Sequence, residues 1–283
     1  MFNRNLSRIT IDRLLGNKLF TDKLRPDIEK GTVFPAIRGD YLDFYYKGGN
    51  LFSYQKEFST HIKYASVIKS KSDYISESDL RQKIELILDF SDGYERIKEN
   101  CSLFSGVEAE GVSRIYRKYP FTNNVLDIVV LDIEISFKAK SEDQTQDRID
   151  ILLLNKKTQQ LRFYEAKHYS NSELWATKKT PPKVVSQIKR YEEQIKKEGH
   201  IIISQYSDYV SIVNNLFGCD LPESREIDGK VTLLVFGYDR DQLKGRMKQL
   251  LLDDGSLAGI QHYFIGNIST VNIENMWKAV KCG

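Results

Sequence analysis

Between Asp147 and Lys167 the chain reads D-R-I-D-I-L-L-L-N-K-K-T-Q-Q-L-R-F-Y-E-A-K, two apolar runs around a short polar turn that also carry an Asp, a Glu and a Lys. Such runs, bounded by turn residues, specify paired strands. Ile149 to Leu154 and Leu161 to Lys167 are predicted to form a hairpin closed by Lys156-Lys157-Thr158-Gln159, a four-residue loop. Pairing about that loop sets Asn155 opposite Gln160, Leu154 opposite Leu161, Leu152 opposite Phe163 and Asp150 opposite Glu165. Directly opposed residues hold their Cβ atoms about 4.5 to 5.5 Å apart. Side chains alternate along a strand, so Lys167 shares the face of Glu165 while Tyr164 and Ala166 point the other way. Two like carboxylates inside an apolar sheet destabilise each other unless a proton or cation intervenes. A divalent ion with hard oxygen ligands resolves that conflict. The plainer alternative is a structural ion pair of Asp150 and Lys167 with Glu165 at a sheet end.

Downstream, V-V-S-Q-I-K-R-Y-E-E-Q-I (residues 184 to 195) follows Pro181-Pro182, a suitable start for a helix. Val184, Ile188, Tyr191 and Ile195 recur at helical spacing and form an apolar stripe. Gln187 and Tyr191, four apart, stack on one side of that helix.

Asp150, then Glu165-Ala166-Lys167, then Gln187-Ile188-Lys189-Arg190-Tyr191 together resemble the PD-(D/E)XK nuclease superfamily, in the branch of the RecB-type and lambda-type exonucleases. The resemblance spans roughly residues 105 to 237. Ile149 stands where the name-giving proline would be, a common relaxation in the superfamily. The resemblance implies an α/β fold with a restriction-endonuclease-like core, a central mixed sheet flanked by helices. It also implies a first helix, for which residues 105 to 118 are the candidate despite Gly106 and Gly111, and a first strand within Val125 to Phe137. Lys230 to Gly237 reads as the strand after the motif helix.

By resemblance, Asp150 and Glu165 would hold one or two Mg²⁺ (or Mn²⁺) ions with the Ala166 carbonyl. A further acidic ligand would come from the first helix or strand, where Glu110, Glu108, Glu134 and Asp132 are candidates. Glu134 ranks first, because a carboxylate inside an apolar strand needs a reason to be there; an edge-strand carboxylate facing solvent is its alternative. The bound metal would acidify a water and neutralise charge on a scissile phosphate. Lys167 would position or deprotonate that water, or stabilise the transition state as a point charge. Gln187 and Tyr191 would orient the phosphate or the surroundings of the metal. The activity so implied is Mg-dependent hydrolysis of DNA phosphodiester bonds, with a restriction-like or defence endonuclease preferred. A DNA-repair-type exonuclease and a catalytically inactive nucleic-acid-binding module of the same fold are the alternatives, and a homodimer is an open option.

With 283 residues, 41% of them hydrophobic and 29% charged, the chain can bury a full core, but a formal charge of +3 does not by itself announce a nucleic-acid partner. Locally, Lys178, Lys179, Lys183, Lys189, Arg190, Lys196 and Lys197 make a basic stretch after the E-A-K strand; the loop lysines Lys178, Lys179 and Lys183 are candidates for phosphate contact. Trp175 reads either as a lid or base-stacking residue or as a cap on the sheet, and His168 as a phosphate contact or a bystander. Three scattered cysteines, Cys101, Cys219 and Cys282, suit reduced thiols in an intracellular, cytoplasmic protein and supply neither an iron–sulfur cluster nor a zinc site. No membrane span is expected.

Residues 1 to 75 are predicted to form a small β-rich α+β domain, a strand meander after a helix within residues 5 to 25. Lys47-Gly48-Gly49-Asn50 marks a two-residue hairpin within it. Its many rings, among them Tyr41, Phe44, Tyr45, Tyr46, Phe52, Tyr54, Phe58 and Tyr64, serve either a core or base stacking. Residues 76 to 104, with Leu80, Ile84, Ile87 and Leu88 at helical spacing, read as a helical connector to a nuclease domain over 105 to 283. Residues 138 to 148 read as a polar loop, and helices are expected near 203 to 217, 240 to 252 and 271 to 281, with a strand near 260 to 267.

Overall fold

The structure, a computed structural model, describes residues 2–66, 87–137, 148–176, 181–253, 255–278 and 281–282. The expected connector falls partly outside this range, as do Leu80, Ile84, Lys178, Lys179 and most of the polar loop before Arg148.

The fold is α/β, with two sheets flanked by helices. Helix α1 (Arg8–Leu15), capped by the Ser7 side chain on the Thr10 N–H, and α2 (Arg25–Glu29) precede an antiparallel sheet of β1 (Val33–Arg38), β2 (Tyr41–Tyr46), β3 (Gly49–Tyr54) and β4 (Phe58–Ser59). The β2–β3 turn places Lys47 and Gly48 at φ of 46° and 85°, the left-handed pair that a two-residue hairpin requires. Phe44, Tyr45, Phe52, Tyr54 and Tyr64 are all buried, which assigns them to the core and not to base stacking; Tyr41 stays exposed. A single helical turn, α3 (Ile62–Ala65), closes this part.

Past the undescribed residues, Ile87 to Asp89 are not helical and Leu88 is exposed, so the connector's apolar stripe does not continue to 104 as expected. Helix α4 runs Tyr94–Leu103, and α5 runs Val107–Lys118 as expected for the first core helix. Gly111, a weak residue for a helix interior, has a packing reason. A Cβ there would lie 2.3 Å from the Phe236 ring.

The larger sheet, among the described residues, has the order β10-β9-β8-β7-β6-β5. Strands β5 (Ile128–Ser136), β6 (Arg148–Asn155) and β7 (Gln160–His168) are antiparallel neighbours; β8 (Glu226–Phe236) and β9 (Gln261–Ile265) continue in parallel, and β10 (Lys281–Cys282) closes the edge antiparallel. Strands β7 and β8 are joined through α6 (Lys183–Phe217), a crossover of the kind parallel pairing demands. The helices expected at 184–195 and 203–217 are one helix of 35 residues. Gly199 does not stop it, because Ile195 and Ile202 are seven apart and the buried stripe resumes in phase at Ile202, Tyr206 and Tyr209. Gly218, at φ 67°, ends it. The expected helix near 240 starts at a turn capped by Asp239, then widens to π-helical turns over Leu243–Asp253 with a non-helical backbone at Gly245, and a short helix, α8 in this order after the α7 turn (Arg240–Gln242), spans Ile273–Lys278.

The two sheets share one continuous core. Buried residues from Phe2 and Phe34 to Val213 and Met276 belong to a single cluster, and Arg4 and Arg38 from the first part reach Asp132 on β5. Residues 2–66 therefore pack directly on the larger sheet. Among the described residues, no helix is long and apolar enough to cross a membrane.

Candidate active site on the β6–β7 hairpin

The β6–β7 ladder has the register the turn length predicts, from Asn155 opposite Gln160 through Leu154 and Leu161, Leu152 and Phe163, to Ile151 and Tyr164. One step further, the Asp150 side chain takes over from the backbone: its Oδ2 accepts the Ala166 N–H at 2.7 Å. On β7, Glu165 is 1% exposed and Lys167 is 7% exposed. The Lys167 ammonium lies 2.9 Å from Glu165 Oε1 and 3.1 Å from Glu173 Oε2. Glu165 Oε2 is buried and has no hydrogen-bond partner among the described residues. An orphaned carboxylate oxygen in a sheet interior is costly.

Strand β5 adds a third acid in the same row. The register shifts at Leu131, after which Ile133 and Ile135 pair with Ile151 and Ile149. Glu134 thus falls opposite Asp150, on the face that also holds Glu165 and Lys167. Its backbone adopts φ 50°, a left-handed conformation that costs a residue of this type roughly 1–3 kcal/mol. Glu134 is 3.6 Å from the exposed Arg148 guanidinium. From α5, Glu108 reaches the end of β7, where its Oε1 accepts the His168 N–H at 2.9 Å and the Asn171 side-chain amide at 2.7 Å.

The electrostatics follow from this crowding. Burial pushes the Glu165 carboxyl up to about 7 in spite of Lys167, with Glu108 and Glu173 adding to the rise. Asp150 is half-buried, and the protein around it, together with the charges of Glu165 and Glu134, raises its pKa well above the usual carboxylate range. Burial alone would lower the pKa of Lys167, but Glu165, Asp150 and Glu108 outweigh it and raise the value. The site is short of positive charge for its acids.

The motif helix meets this hairpin from the side. Tyr191, buried, donates its hydroxyl to the Arg148 carbonyl at 2.7 Å, and Gln187 Nε2 donates to the Tyr191 oxygen at 2.8 Å. The pair thereby fixes the start of β6, two residues before Asp150.

Other predicted residues lie elsewhere. Glu110 forms an exposed pair with Arg114 at 2.8 Å, so of the first-helix acids it is Glu108 that faces the hairpin. Residues two apart on a helix point to nearly opposite sides, which decides between them. Asp132 is fully buried and already neutralised by Arg4 and Arg38 at 3.0 Å each and by the Tyr206 hydroxyl at 2.8 Å. Trp175 is buried, donates to the Tyr169 carbonyl and has the Arg246 guanidinium over its ring. The His168 ring bonds Ser170 and packs edge-on against Phe236. Lys183, at the start of α6, is exposed. Glu173, from a short turn after β7, has no mark in the sequence, because a Glu five residues past a strand end carries no periodic signal.

Among the described residues, no group of three or more His, Cys, Asp and Glu side chains converges as a metal cage. What the hairpin offers is narrower: two carboxylates from adjacent strands, one of them with an orphaned buried oxygen. That donor set fits a hard oxygen-seeking cation, which completes its shell with carbonyls and water. Comparison of the chain with family models, with curated proteins and with solved structures finds no match.

Proposed function

We propose that this chain is a metal-dependent nuclease that hydrolyses DNA phosphodiester bonds, of the restriction-like or defence endonuclease kind, with a restriction-endonuclease-like core related to the PD-(D/E)XK superfamily. The observation that carries the reading is the Asp150 and Glu165 pair on neighbouring central strands, with Glu165 Oε2 buried and unpartnered and Lys167 alongside. A structural ion pair accounts for one Glu165 oxygen and leaves the other without a partner.

Asp150 and Glu165 would hold Mg²⁺ or Mn²⁺, with the Ala166 carbonyl and Glu134 as further donors. When bound, the ion supplies an acidified water and offsets negative charge on the phosphate. Lys167, whose pKa is raised, stays an ammonium at neutral pH and acts as a fixed positive charge for the transition state rather than as a base. Glu173 positions that ammonium from the solvent side. Tyr191 and Gln187 hold the β6 backbone, and with it Asp150, in place. The order of these pieces along the chain, acid, E-A-K, Q-x-x-x-Y, supports DNA as the substrate through the resemblance alone.

Circular and linear DNA duplexes incubated with Mg²⁺, followed by end mapping, test the reading. Cleavage of the circle is expected, and Lys167→Ala is expected to lose turnover by about 10²–10³-fold while still binding duplex in Ca²⁺. Wild-type cleavage by that variant would remove Lys167 from the chemistry, and no cleavage by the native chain would remove the activity.

A further inference from the structure

Beside the hairpin lies a cavity of about 450 Å³ between the β2–β3 hairpin and the open edge of the larger sheet. Its size falls in the range of pockets that enclose small organic ligands, about 300–1,000 Å³. Glu134 and Arg148 form part of its wall, so it opens one strand position from Asp150.

Its chemistry is mixed, not simply basic. Arg4 lines it and is 4% exposed, and Arg4 Nη2 is buried without a hydrogen-bond partner among the described residues. That nitrogen is a donor in want of an acceptor. Nearby on the same wall stands Asp43, buried, its Oδ1 accepting from Ser53 Oγ at 2.6 Å and Asn50 Nδ2 at 3.2 Å and its Oδ2 from the Tyr45 hydroxyl at 3.5 Å, with Arg38 Nε 3.7 Å away. A carboxylate offers about four lone-pair sites and these three hydrogen bonds leave one, so Asp43 keeps a single acceptor position. Arg38, also in the wall, is committed to Asp132, to the Ile133 carbonyl and, at 3.7 Å, to Asp43 itself, and does not add to the cavity's free donors. Two tyrosines, Tyr41 at the exposed rim and Tyr45 within, complete the lining.

We infer that this cavity receives a single nucleobase of the strand being cut, with Arg4 and Asp43 meeting a donor and acceptor edge and Tyr41 against its face. A phosphate is the poorer occupant, because Asp43 and Glu134 would both repel it. A planar ring with adjacent hydrogen-bond donors and acceptors matches the unmet groups, and proteins that take up an unstacked base read it by such an edge and by aromatic contact. The part of the inference that places this base on the cleaved strand rests on the nuclease reading; the presence of a base-binding cavity does not.

Metal-free full-length protein mixed with each of the four deoxynucleosides, and separately with inorganic phosphate, is examined by saturation-transfer NMR. At least one nucleoside is expected to bind, without competition from phosphate. Tyr41→Ala and Asn50→Ala, both at exposed positions and checked for an unchanged melting temperature, are each expected to weaken that binding by about tenfold. No nucleoside binding, displacement by phosphate, or binding unaffected by either substitution would overturn the inference. A second arm scans one abasic nucleotide through a cleaved duplex. Cleavage that falls when the gap occupies one fixed position near the cut supports the placement; cleavage indifferent to the gap overturns the placement and leaves the nuclease reading standing. If no duplex is cut at all, the nuclease reading and the placement fall together, and the nucleoside result alone decides the cavity.

Discussion

Two buried acids on one face of the larger sheet have opposite fates. Asp132 is enclosed by two arginines, a tyrosine hydroxyl and its neighbour's N–H, so each of its oxygens has partners. Two residues along the strand and across to β7, Glu134 and Asp150 share the face of Glu165, whose carboxylate has Lys167 on one oxygen and no partner on the other. Both groups carry the desolvation cost of a charge inside a protein. Only the first repays it within the chain. Burial of a carboxylate is therefore a poor sign of function, whereas burial without sufficient counter-charge points to something the folded chain alone does not supply.

The sharpest way to break this contrast is to remove the acids one at a time. Asp132→Ala leaves Arg4 and Arg38 as uncompensated buried charges and is expected to destabilise the protein by about 3–5 kcal/mol in denaturant unfolding. Glu165→Gln should do the reverse in the absence of metal. The folded carboxyl titrates at about 7, above its ordinary value of 4.5, so its stabilising contribution is complete below the unfolded value and is lost as pH rises through 7. At pH 8 the glutamine variant is expected to be more stable than the native chain by about 2–3 kcal/mol, shrinking below about 1 kcal/mol at pH 5. Equal destabilisation by both substitutions would erase the distinction between the two acids. A smaller effect sharpens the comparison: Tyr191→Phe removes the hydroxyl bond to the Arg148 carbonyl and is expected to cost about 1 kcal/mol, with a fall in cleavage because Asp150 is less firmly placed.

The hairpin was legible because turn length fixes register, and register fixes which side chains face one another; Asp150 and Glu165 follow from counting away from Lys156-Lys157-Thr158-Gln159. The resulting carboxylate and lysine cluster was legible for the same reason. The length of α6 was not read, although Ile195, Ile202, Tyr206 and Tyr209 keep one stripe, because Gly199 and its charged neighbours have the composition of a helix end. The choice between Glu108 and Glu110 depends on the rotation of α5, which the Gly111 contact with Phe236 sets and sequence spacing does not. Glu173 folds back onto Lys167 across a loop of no regular period, and the cavity walled by Arg4 and Asp43 is a product of packing between segments more than thirty residues apart; neither lies within the reach of a local pattern. The Arg246 guanidinium lying on the Trp175 ring comes from a segment some seventy residues on, which no local pattern around Trp175 shows.

Titration of the native chain with Mn²⁺, followed by the free-ion spin resonance signal and repeated on Asp150→Asn, Glu165→Gln and Asp132→Asn, tests the central claim most directly. The account expects Mn²⁺ uptake by the native chain, its loss in the first two variants and its retention in any of the third that remains folded. Uptake undiminished by Asp150→Asn and Glu165→Gln, or none by the native chain, would contradict it.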